Sequence, residues 1–85
     1  MREIYCLLAF DSTHDAIRAE ELVTPLGAAV MPTLREITAS CGISLRVPAQ
    51  CGMQAADILR QNGMARWRLY RVQEESGRVE LEQLL

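Results

Sequence analysis

Eighty-five residues, 49% of them hydrophobic, are enough for one small domain whose core leaves little room for idle loops. A net charge of −2 excludes an extended basic surface for nucleic acid, and 5% aromatic residues are too few for a base-stacking platform. All 9 basic residues are arginine, so Schiff-base chemistry on a lysine is excluded as well.

Residues 3–10 (EIYCLLAF) read as a central strand, because both its faces are apolar: Ile4, Cys6, Leu8 and Phe10 on one, Tyr5, Leu7 and Ala9 on the other. The run is too short to span a bilayer and lacks a cleavage pattern, so no membrane or targeting segment is expected. Ser12 is a good N-cap, and Asp15 suits the positive end of a helix in which Ala16, Ala19 and Val23 recur at helical spacing. Pro25 ends that helix near Val23 or Thr24, and Gly27 closes the turn.

Residues 28–31 (AAVM) form a short second strand. The segment 32–42 (PTLREITASCG) is long for a connection, with room for one helical turn around Leu34–Thr38, and long ordered loops of this kind often carry function. Residues 43–47 (ISLRV) alternate, with Ile43, Leu45 and Val47 inward and Ser44 and Arg46 outward. A second helix is expected over residues 53–62, stopped by Gly63, and a fourth strand over 65–72. Glu74–Gly77 is a turn signal, and residues 78–82 (RVELE) alternate again, as a hairpin strand or a dimer contact.

The order is βαββαβ, the α+β ferredoxin-like pattern, with an antiparallel sheet in the order 4-1-3-2 and two helices on one face. The domain is placed at residues 1–73 and a C-terminal extension, read as an extra strand, at 74–85. The face bearing Tyr5, Leu7 and Ala9 would be exposed unless a partner covered it, which makes a homodimer a reasonable expectation.

This topology gathers Ser12, Thr13, His14, Arg35, Ser40 and Cys41 along one edge. Cys41 stands two residues before Ile43, so parity leans it toward the helices, where a helix N-terminus, Arg35 and a protonated His14 would favour a thiolate. Gly42 leaves space beside the sulfur for a large partner. The plainer alternative is a small residue filling a loop. Cys6, in phase with Ile4 and Leu8, reads as a core thiol. Cys51 opens the second helix at the opposite edge, too far from Cys41 for a disulfide within one chain. No CxxC pair exists, and three Cys and one His spread over two edges and the core make no metal site. An odd number of cysteines argues against a secreted disulfide scaffold and for a reducing, cytoplasmic setting.

The stretches STHDAIRAEELV (12–23) and PTLREITASCGISLRV (32–47) resemble the selenium/sulfur (Se/S) carrier protein-like domain family of small bacterial and archaeal proteins. The positions that carry the resemblance are Phe10, Ser12, Thr13, His14, Ala16, Ala19, Glu20, Pro32, Thr33, Arg35, Glu36, Ile37, Ser40, Cys41 and Gly42, within a similarity over about residues 3–72. Leu34 stands where the family usually has a second proline, Pro25 interrupts the helix end, and 74–85 passes the usual end.

The resemblance implies that Cys41 carries sulfur or selenium as a persulfide or selenosulfide, supported by Ser12, Thr13, His14, Arg35, Ser40 and Gly42. The chain would then be a carrier rather than a turnover enzyme. It would need no cofactor beyond the chalcogen on Cys41, and its partners would be sulfur or selenium donor and acceptor proteins, with neither nucleic acid nor membrane. Two readings compete with it: a non-covalent small-ligand or regulatory module with a structural Cys41, and a redox-sensing thiol.

Overall fold

The computed structural model describes residues 2–85, and Met1 lies outside the described residues. The elements are β1 (Arg2–Phe10), α1 (Thr13–Val23), a 3-10 turn (Thr24–Leu26), β2 (Ala29–Pro32), β3 (Ile43–Pro48), a 3-10 turn (Ala49–Cys51), α2 (Gly52–Gln61), β4 (Trp67–Glu75) and β5 (Arg78–Gln83). All strand pairs are antiparallel, and the sheet order is β2-β3-β1-β4-β5. Five strands replace the four of the simple pattern, because the C-terminal residues pair along the outer edge of β4.

Local chemistry sets the boundaries. Ser12 accepts the amide of Asp15 at 3.4 Å and so caps α1. Pro25 lies in the 3-10 turn after α1, and Gly27 ends it at φ +86°, a left-handed conformation that glycine takes without strain. β4 runs to Glu75, past the expected end at 72, because Arg2 and Glu3 of β1 offer it backbone partners. Only Ser76 and Gly77 are left for the turn.

Each sheet face has its own apolar layer. On the first, Cys6, Leu8, Phe10, Leu45, Val47 and Leu69 pack against Ala16, Ala19 and Val23 of α1 and Ala55, Ala56 and Leu59 of α2. The alanines let the helices approach closely, which suits an interior short of aromatics.

The second face departs from expectation. Tyr5, Leu7 and Ala9 are not exposed; they are buried within the chain, together with Ile37, Tyr70 and Val72. The segment between β2 and β3 folds over them, contributing Leu34, Ile37 and Ala39, while Met31, Val79 and Leu81 close the layer. Burying this face inside one chain removes the exposed surface that suggested a homodimer there.

Ser44 is also corrected. It points to this second face as its parity requires, but the face is covered, so the side chain is buried rather than solvated. Its hydroxyl is satisfied by the Thr33 hydroxyl at 2.7 Å. Arg46, on the same face, stacks its guanidinium 4.0 Å from the centre of the Tyr5 ring.

Candidate functional site

The segment between β2 and β3 changes layers just before β3. Ala39 packs on the second face and Cys41 on the helix face, so the chain crosses the end of the sheet at Ser40. Three polar contacts hold this crossing. The amide of Ser40 donates to Asp11 Oδ1 at 3.4 Å. Arg68 Nη2 donates to the same oxygen at 3.4 Å and to the carbonyl of Thr38 at 2.9 Å. Asp11 directly follows β1, and Arg68 sits opposite Ala9 in the β1–β4 register, so the sheet itself places this clamp.

On the other side Thr33 holds the loop. Its hydroxyl donates to the Cys41 carbonyl at 3.1 Å, and its amide to the Gly42 carbonyl at 3.0 Å. The Cys41 backbone is thus fixed against β2 while the residues before it are fixed against β1 and β4.

The sulfur of Cys41 lies beside the first turn of α1, 3.5 Å from the Thr13 hydroxyl. It also accepts the amide of Ile43 at 3.4 Å. These contacts put a thiol next to a hydroxyl and a backbone N–H, the kind of groups that stabilise a sulfur anion. Asp15, in the same helical turn, faces Arg66 at 4.0 Å.

The depth of the sulfur differs from expectation. Cys41 is 3% exposed, so the thiol is covered rather than open at the surface. Thr13, which contacts the sulfur, and the chain neighbours Ser40 and Gly42 are exposed. A Cβ built at Gly42 would meet nothing within 4 Å beyond its chain neighbours, so the backbone after Cys41 faces open space there.

The other expected residues separate. Ser12 is engaged as the helix cap, and His14 is exposed on the first turn of α1. Arg35 lines a groove of about 420 Å³, formed with Met31, Leu34, Gly77 and Val79 next to the β4–β5 turn. Asp11, Thr33, Ser44 and Arg68 are the residues that sequence reasoning missed. Arg68 carries no local signal in the sequence, since its partners are set by strand register.

The three cysteines are free thiols. Cys6 is a core residue, as its phase in β1 indicates. Burial pushes its thiol up from its ordinary value, partly offset by Arg71 and reinforced by Cys51. Among the described residues, no three His, Cys, Asp or Glu side chains gather in a group able to hold a metal ion. No helix is long and apolar enough to cross a membrane.

A family model described as "Putative Se/S carrier protein-like" matches residues 5–71. The match contains Cys41 together with Asp11, Thr13, Thr33 and Arg68. No curated protein and no solved structure matches the chain significantly.

Proposed function

The chain belongs to the Se/S carrier protein-like family, and from that membership we propose that Cys41 carries sulfur or selenium between a donor and an acceptor protein. The observation that carries this reading is the 3.5 Å contact between Cys41 Sγ and the Thr13 hydroxyl, which joins the thiol to the first turn of α1. We read the fold as ferredoxin-like, supported by the run β4-β1-β3-β2 with helices on one face, and extended by β5. An odd number of free thiols supports a reducing, cytoplasmic setting.

In loading, the Cys41 thiolate attacks the terminal sulfur of a donor persulfide. A Cys41 S–S bond forms, the donor's S–S bond breaks, and the donor leaves as a thiolate. No net oxidation occurs. The terminal sulfur on Cys41 is an anion, and the Thr13 hydroxyl and the Ile43 amide lie beside the Sγ that bears it. Selenium follows the same route as a selenosulfide. Delivery reverses the step toward an acceptor nucleophile.

The covered sulfur adds a requirement: Thr13 and the loop that carries Cys41 must shift for a donor to reach it. Arg68 and Asp11 are the latch on that motion, and Thr33 keeps Cys41 itself in register.

Incubation with a persulfide donor tests the proposal. Cys41 should gain the mass of one sulfur atom, and a Cys41→Ser variant should gain none. Equal labelling of both proteins would end it. The 3% exposure of Cys41 favours the second reading, a non-covalent module in which this thiol is structural. Retention of in vivo function by Cys41→Ser would select that reading.

A further inference from the structure

The other two cysteine sulfurs lie at the far end of β3, where the turn Ala49–Cys51 leads into α2. Cys6 Sγ donates to the Ala49 carbonyl at 3.5 Å. A Cβ on Gly52 would stand 2.5 Å from that same sulfur. Gly52 has ordinary helical torsions, φ −58° and ψ −51°, so its backbone does not require glycine. The space taken by the Cys6 sulfur does.

The residue two before Cys51 and the residue one after it therefore both touch the Cys6 sulfur. Cys51 is one Cα step of ~3.8 Å from Gly52. Its half-buried side chain packs against the core cluster that contains Cys6. The Cys51 thiol lies close enough for its charge to act on Cys6.

We propose that Cys6 and Cys51 form a second thiol site, at the end of the sheet away from Cys41, that takes up oxidation from low-molecular-weight disulfides. Cys51 is the more accessible sulfur and attacks first, as a thiolate. A bond forms between Cys51 and one sulfur of the small disulfide, whose own S–S bond breaks, and one small thiolate leaves. Cys6 gives its proton to solvent and attacks the Cys51 sulfur, displacing the second small thiolate. The chain loses two electrons and two protons, and the small disulfide gains them as two thiols.

In the second step burial opposes the Cys6 thiolate and Arg71 favours it. The product ties β1 to the start of α2 and leaves Cys41 free. This site does not depend on Cys41 carrying anything.

Treatment of the whole chain with oxidised glutathione, then trypsin, decides the matter. Cleavage after arginine puts each cysteine on its own peptide: Cys6 on 3–18, Cys41 on 36–46 and Cys51 on 47–60. The expected product is a reducible link between 3–18 and 47–60, formed equally in Cys41→Ser and lost in Cys51→Ala. A link involving 36–46, glutathione retained on Cys51, or no modification at Cys51 would each overturn the proposal. The map of the unsubstituted chain is decisive alone, so the folding of a variant does not limit the test.

Discussion

The hydroxyl of Thr13 rests 3.5 Å from the sulfur of Cys41, joining the first turn of α1 to a loop 28 residues further along the chain. Thr13 is exposed and Cys41 is not, so this one side chain forms part of the lid over the thiol. Thr13→Ala should therefore speed alkylation of Cys41 by iodoacetamide, whereas Thr13→Val keeps the cover and should leave the rate near that of the parent. Ser12 still caps the helix in both, so stability should move by less than about 1 kcal/mol. Equal rates for the two variants would show that the sulfur is reached by another route.

Arg68 tests the latch from the opposite side. Arg68→Ala loses the bonds to the Thr38 carbonyl and to Asp11, at a cost of about 1 kcal/mol, since the side chain is partly solvated. Hydrogen exchange should rise at residues 38–41 and the Cys41 labelling rate should rise with it. Faster exchange confined to β4 would place the effect in the sheet and not in the loop.

Thr33 and Ser44 form a coupled pair. Thr33→Val leaves the buried Ser44 hydroxyl without its 2.7 Å partner and frees the Cys41 carbonyl, and should cost roughly 1–3 kcal/mol in urea unfolding. Adding Ser44→Ala removes the stranded hydroxyl, so the double variant should be more stable than the sum of the single losses predicts. Strict additivity would mean that the two hydroxyls do not act together.

Alkaline pH should destabilise the fold through two groups. Burial, and then Glu74, raises the Tyr5 hydroxyl above its ordinary 10.0, and burial raises the Cys6 thiol above its ordinary 9.0. Both stay protonated in the folded chain after the unfolded chain has begun to ionise. The unfolded state then binds fewer protons, so stability is full below about pH 9 and falls as pH rises through the interval up to the folded values. Tyr5→Phe and Cys6→Ala should each flatten the fall in urea midpoint above pH 9, and an unchanged slope in both would assign it to other groups.

Much of the framework was legible because it is local. Ser12, Pro25, Gly27 and Gly63 act within a few residues of themselves, and the alternation of residues 43–47 fixes faces by parity alone. Parity also assigned Cys41 to the helix side, but it carries no information on depth. Depth is set by Thr13, by the Arg68 clamp and by the fold of residues 33–40 over Tyr5, Leu7 and Ala9, all contacts between distant parts of the chain. The same limit explains Ser44, whose outward parity is correct while the covering layer above it is a tertiary fact. Topology groups Arg35 with Cys41 along one edge, whereas the turn at Leu34–Ile37 carries it toward the β4–β5 hairpin.

The most direct measurement uses a chain whose only sulfur nucleophile is Cys41, made by Cys6→Ala and Cys51→Ala, with and without Arg68→Ala. Isotopically labelled sulfur from a persulfide donor should enter the peptide 36–46, enter it faster once the latch is cut, and pass on to an added acceptor thiol. A peptide 36–46 that stays unlabelled in both proteins, with the loop shown to be open, would contradict the assignment of Cys41 as the carrier.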